Sequence, residues 1–130
     1  MSDEDAGEKR QRYGLSREFR IARSAEIRLL FQRGKRRKTR HLDAFVSPSP
    51  AVFPRLGVVV PKHKHTIVER NLVRRRLREI GRMVLLPALR NSGAALDVLL
   101  RARPEAYGAS FAQLRDEVTT LVEELCSRAR

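Results

Sequence analysis

The sequence predicts one α+β domain: a small sheet of about four strands packed with three helices, in the order α-β-β-β-α-β-α. Three observations predict it. Segments with apolar residues at helical spacing (24–33, 67–85 and 110–125) are interleaved with short, strand-like apolar runs (42–46, 55–60 and 96–100). A chain of 130 residues is long enough for one core and too short for two. The apolar fraction of 42% lies far above that of a disordered chain, while aromatics are only 5% and Trp is absent, so aliphatic side chains build the interior.

Residues 1–14 mix charges with glycine and show no period, which predicts a disordered tail and leaves 15–127 as the domain. Ser24 is a good N-cap for the first helix. Ile27, Leu30 and Phe31 then share one face, and Gly34 supplies the stop. The run Lys35-Arg36-Arg37-Lys38-Thr39-Arg40 leads into Leu42–Val46, which alternates as a half-buried strand does, and Ser47-Pro48-Ser49-Pro50 reads as a turn. Arg55–Val60 is short and β-branched, hence a buried strand ended by Pro61. Thr66 and Glu69 have capping-box spacing and open a helix over 67–85. Asn91-Ser92-Gly93 breaks the chain before the strand Leu96–Leu100. Ser110 and Gln113 form a second capping box, opening a helix whose Phe111, Leu114, Val118, Leu121, Val122 and Leu125 make a core stripe.

Charge points to the partner. Lys and Arg number 28 against 15 acids, a net +13 with a pI near 11.4. Such an excess repels itself in the folded state and suits a polyanion, nucleic acid first. A membrane partner is not expected, since no apolar run approaches the roughly 20 residues of a spanning helix. On a wheel of about 100° per residue, Val73, Leu77, Ile80 and Val84 fall within about 60° and form the buried stripe of the central helix. Asn71, Arg74, Arg75, Arg78 and Arg82 occupy the opposite arc, with Arg70 at its edge. Solvated helix faces usually mix signs. This one is almost purely cationic, with Glu69 and Glu79 expected to lie away from the arc. Arginine suits phosphate because its planar guanidinium donates paired hydrogen bonds and stacks on bases.

No catalytic constellation is legible: there is no Ser-His-Asp or Cys-His pattern, no glycine-rich phosphate loop and no clustered carboxylates. His63 and His65 lack a third ligand and are flanked by Lys62 and Lys64, so a polyanion-contacting loop is the better reading than a metal pair. A lone Cys126 and an acidic start without an apolar h-region suggest a reduced, cytoplasmic protein.

The run Val68-Glu69-Arg70-Asn71-Leu72-Val73-Arg74-Arg75-Arg76-Leu77-Arg78 resembles the signature of the bacterial ribonuclease P protein family: Arg-Asn, two residues, two basic residues, two residues, then Arg. Phe31 and Gly34 match the family's Phe-x-x-Gly, Gly57 and Lys62 its glycine-opened strand and following basic residue, and Arg101 and Arg103-Pro104 the basic end of its last strand. The chain departs at Leu72, where a third basic residue is common. It departs also at Ile27, in the place of an aromatic, and at His63, in the place of a lysine.

The resemblance implies a subunit of a ribozyme holoenzyme that matures the 5′ end of tRNA. In it the RNA is the catalyst, with Mg²⁺ bound mainly by that RNA, and no further protein is required. It implies a left-handed βαβ crossover around the arginine helix. It also implies that Arg70, Asn71, Arg74, Arg75, Arg78 and Arg82 face the ribonuclease P RNA. Phe31, Phe45, Val58, Val60, Lys62 and His63 would line a cleft for the 5′ leader of precursor tRNA. Lys35, Arg36, Arg37, Lys38, Arg40, Arg101 and Arg103 would add RNA contacts. The alternatives are a stand-alone binder of structured RNA, of ribosomal or assembly type, a DNA-binding protein that places the arginine helix in a major groove, and a self-sufficient nuclease.

Overall fold

Four strands, β1 (Lys35–Lys38), β2 (Leu42–Pro48), β3 (Arg55–Val59) and β4 (Leu96–Ala102), join in the order β1-β2-β4-β3 in the computed structural model, which describes residues 15–128. The pairs β1–β2 and β2–β4 are antiparallel; β3–β4 is parallel and therefore needs a helical crossover. Helix α1 (Ser24–Arg33) precedes the sheet. Helix α2 supplies the crossover, running Ile67–Ile80, then a π turn at Gly81–Leu85, then Leu86–Asn91. Helix α3 (Phe111–Arg128) closes the chain. Short 3₁₀ turns stand at Arg17–Phe19 and Pro104–Gly108. The expected tail, 1–14, lies outside the described residues.

Strand alternation sorts the side chains onto two faces. Phe45, Leu99 and Gly57 are in register across β2, β4 and β3, as are Ala44, Leu100 and Val58 in the next row. The Ala44 row looks into the main core, where Leu42, Leu56, Val98 and Leu100 pack with Val73, Leu77, Ile80 and Leu89 of α2 and Leu114 and Val118 of α3. Burying each such side chain stabilises by about 1.5–3 kcal/mol. The Phe45 row belongs to a second cluster with Ile21 and Leu30, flanked by Ile27, Phe31 and Val59. Cover on both faces explains why Leu42–Val46 is buried at every position, where alternation suggests a half-buried strand.

Several boundaries differ from expectation. Arg23, not Ser24, flanks α1, and no side chain caps that end. Ser47 and Pro48 continue β2, so the connecting loop starts at Ser49. The capping box of α2 is present: Glu69 N–H donates to Thr66 Oγ1 at 3.2 Å, and Thr66 N–H to Glu69 Oε1 at 2.9 Å. That of α3 is present too, between Ser110 and Gln113. Helix α2 outlasts its expected end at 85. In the π turn the Leu86 N–H donates back to Gly81 O, five residues earlier. The widened turn lets Pro87, which has no N–H to give, follow without ending the helix. The extra residue also rotates the stripe, so Leu85 is in the core while Val84 is only half-buried. Gly93, at φ +74, adopts the left-handed conformation that terminates α2.

A polar corner fixes β1. Glu117 of α3 accepts hydrogen bonds from Thr39 Oγ1 (2.6 Å), the His41 backbone N–H (3.0 Å) and the His41 ring, while Arg103 Nη1 donates to Thr39 O (2.8 Å). Burial alone would raise the Glu117 pKa, but the bonds from Thr39 and His41 outweigh it and hold the carboxyl below its usual range.

Candidate nucleic-acid interface

Helix α2 turns Val73, Leu77 and Ile80 inward, which fixes the outward direction of its arginines. Arg75 and Arg78 are exposed, Arg70 and Arg74 half-buried, and no carboxylate among the described residues lies within ion-pair distance of these four. Arg74 Nη1 donates to Asn71 Oδ1 at 2.6 Å, which holds both side chains together on the surface. The Arg78 side chain reaches solvent, yet desolvation around it, and then the charges of Arg20 and Arg74, lower its pKa. Positive charge is thus crowded without internal relief, and Arg20 joins it from the segment before α1. Arg82 differs from its neighbours: it pairs with Glu79, so that acid does reach the arc, contrary to expectation. Arg76 is turned toward the segment before α3 and donates to Ala109 O at 3.3 Å.

At the N-terminal end of α2, Tyr107 organises the preceding loop. Its hydroxyl donates to Pro61 O at 3.0 Å, the His65 ring stacks on it at 3.6 Å and 7°, and His63 approaches edge-on. His63 and Lys64 both have positive φ, 44° and 64°, an uncommon conformation for non-glycine residues. His63 Nε2 lies 3.4 Å from Ala102 O, and Lys62 and Lys64 are exposed. Desolvation pushes the Tyr107 phenol up against the opposing charges of Arg70 and Arg74. Arg70 Nε is shut off from solvent and has no hydrogen-bond partner among the described residues. Tyr107 carries no pattern that sequence reading could use, because its partners are 42 to 46 residues away.

Beside α1 lies the second face of the sheet, termed the cleft face because Phe31 and Phe45, two of the residues expected to line a cleft, pack on it. Phe31 of α1 meets Phe45 of β2 edge-on, centroids 4.9 Å apart, and the Arg101 guanidinium carbon lies 5.4 Å from the Phe31 centroid. Asp43, Arg101 and Val59 are in register on this face, with Lys38 beside Asp43 and Arg36 beside Phe45 on β1. Phe45 is buried as floor, Phe31 half-buried and Arg101 exposed. Arg55 anchors α1 above the near end, bonded to Asp97 (2.7 and 2.9 Å) and Glu26 (2.7 Å). The hydrogen bond to Asp97 is the main cause raising its pKa, against burial and with Glu26 adding to it, so the clamp stays charged.

Two of the expected cleft residues are on the wrong side. Val58 and Val60 alternate with the cleft face and pack into the main core, Val60 only 4% exposed. Val59 is the residue that β3 turns toward Phe31. The basic run divides likewise: Arg36 and Lys38 share the cleft face, whereas Lys35 and Arg37 share the other face with Val46 and Ala44. Arg40 is exposed at the turn between β1 and β2. Arg103 is partly spent on structure, held by Thr39 O and by Glu105 at 3.4 Å. No group of three His, Cys, Asp or Glu side chains among the described residues is placed to hold a metal ion, and no described helix is long and apolar enough to cross a membrane.

The family model for Ribonuclease P matches residues 15–126, nearly the whole described chain. The chain belongs to the ribonuclease P protein family. Among curated relatives, the ribonuclease P protein component of Acidothermus cellulolyticus is 33% identical over 115 residues, covering 85% of this chain and 91% of its own. That of Chloroflexus aurantiacus is 34% identical over 113 residues, 86% and 81%. The ribonuclease P protein of Thermotoga maritima has the same fold, with a TM-score of 0.66 at 22% identity, covering 81% of this chain and 96% of its own. That of Staphylococcus aureus has a TM-score of 0.64 at 22% identity, with 86% and 95% covered. As a ribonuclease P protein subunit the chain is a component of the tRNA-processing holoenzyme. The α+β order read from the sequence is that of its ribonuclease P structural neighbours.

Proposed function

We propose that this subunit binds the catalytic RNA through α2 and holds the 5′ leader of precursor tRNA on the cleft face of the sheet. The observation that carries the reading is the line Phe45–Phe31–Arg101: an aromatic pair, buried on one side, topped by an exposed guanidinium. Single-stranded RNA is held by that combination, with bases meeting aromatic or apolar surface and phosphates meeting fixed cations. Val59 completes the floor on β3, Lys38 and Arg36 supply charge along β1, and Lys62 extends it past the strand end. Helix α2 offers Arg70, Asn71, Arg74, Arg75 and Arg78 on a separate surface, where crowded positive charge is relieved when phosphates replace its counterions. Mg²⁺ belongs mainly to the RNA subunit, and the protein's part is to position the leader and thereby the scissile phosphodiester.

Reconstitution with a bacterial ribonuclease P RNA at low Mg²⁺ tests this. Protein-dependent cleavage of precursor tRNA at the mature 5′ end is the expected result. Tight RNA binding without stimulation would instead mark a stand-alone structured-RNA binder.

A further inference from the structure

Among the residues on the cleft floor, Asp43 has the wrong charge for a polyanion site. Its side chain is 11% exposed, and the residue stands between Lys38 on β1 and Arg101 on β4 in the row that ends at Val59. A carboxylate there lowers the attraction for phosphate. The way its oxygens are used gives it a role. Arg36 approaches diagonally across the β1–β2 pair, and both of its bonds, Nε at 3.3 Å and Nη2 at 3.1 Å, go to Oδ1. Oδ2 accepts no hydrogen bond from any described residue, and it is not among the atoms shut off from solvent without a partner. Arg36 itself is 57% exposed, so solvent reaches the pair.

We propose that Asp43 is a base-selecting residue for the leader: Oδ2 accepts from the exocyclic amino group of one unstacked nucleotide. This rests on the cleft being the leader site. A base lying against Phe31 presents its edge along the floor, and a fixed anionic acceptor there rewards adenine, cytosine or guanine, each of which carries an amino group. Uracil has a single ring N–H flanked by two carbonyl oxygens, and a carboxylate repels both. Arg36 has two functions in this arrangement. It cross-links β1 to β2, and by holding Oδ1 it fixes the carboxylate plane, so that Oδ2 is preorganised as an acceptor. The cationic cleft supplies affinity without regard to sequence, and Asp43 adds discrimination by a selective penalty.

The test is cleavage by the reconstituted holoenzyme of precursor tRNAs that differ at one leader nucleotide at a time, scanned through the leader. With the unaltered protein, kcat/KM at one position is lower for uridine than for the amino-bearing bases by about tenfold, the ratio one charge-assisted hydrogen bond supports. Asp43→Val, which has no acceptor and is confirmed folded by its melting transition, abolishes that ratio while overall cleavage persists. A role confined to the sheet would lower kcat/KM for all precursors equally, and an unchanged ratio in Asp43→Val overturns the proposal. The two readings are separable through Phe31→Ala. If that variant loses the preference for precursor over mature tRNA while Asp43→Val keeps its base ratios, only base selection fails. If Phe31→Ala keeps the preference, the cleft reading itself fails.

Discussion

Arg101 lies over the ring of Phe31, 5.4 Å from its centroid, so the last strand and the first helix meet on the open face of the sheet. Neither residue is committed to the main core, and each completes the other: the guanidinium covers one side of the ring while Phe45 meets it edge-on. Phe31→Ala is therefore expected to reduce affinity for precursor tRNA relative to mature tRNA by about 1–3 kcal/mol, the usual value of one base–aromatic stack. Equal losses for both RNAs, measured by titration of the holoenzyme, would make Phe31 a packing residue and remove the cleft reading with it.

Adjacent valines on β3 should separate stability from binding. Val60→Ala removes methyl groups from the main core and is expected to cost about 1–2 kcal/mol in denaturant unfolding, with little change in precursor affinity. Val59→Glu places a charge on the cleft face, where it should weaken precursor binding severalfold and leave mature tRNA binding nearly unchanged. The opposite pattern would reverse the assignment of the two faces.

These two valines also show what the sequence can and cannot convey. Periodicity locates β3, and the Arg-Asn signature locates α2, because both signals are local. Which side of β3 faces the cleft depends on which face of the sheet α1 covers, and alternation alone leaves that sign open. The same limit hides Asp43, an ordinary acid in the sequence that acquires its setting from Lys38, Arg101 and Val59 through strand register. Tyr107 and Glu117 escape a sequence reading because their partners are remote in the chain. Leu85 takes the core place that helical phase predicts for Val84 because of a π turn, for which the only local hint is Pro87 following closely.

The arginine face of α2 makes a prediction about salt. Arg74 and Arg75 have no carboxylate partner among the described residues, so replacing both by Ala removes charge without orphaning an acid. RNA-subunit affinity should fall, and the slope of log K against log salt should flatten by about 0.7–0.9 for each phosphate that is no longer neutralised. An unchanged slope would place the RNA elsewhere. Arg82→Ala, which frees Glu79, serves as contrast: it should lower affinity by adding an unpaired negative charge as well as by losing a positive one.

Glu117 gives the fold an acid-sensitive joint. Its pKa is lowered from the ordinary 4.5, because the hydrogen bonds from Thr39 and His41 overcome the effect of burial. A carboxyl whose pKa is lower in the folded than in the unfolded state contributes stability in full above the unfolded value, near 4.5, and loses it as pH falls through the lower folded value. Thermal stability of the unaltered protein should therefore decline through that acid window. Glu117→Gln removes this group's part of the decline and lowers stability at neutral pH by about 1–3 kcal/mol, since His41 and the Thr39 turn lose their anionic acceptor in a buried site. Because the same turn sets β1 against β2, the variant should also loosen the cations of β1. Faster hydrogen exchange at Lys35–Lys38 with unchanged exchange in β4 would locate the effect at that corner, whereas uniform exchange throughout the sheet would assign Glu117 to global stability alone.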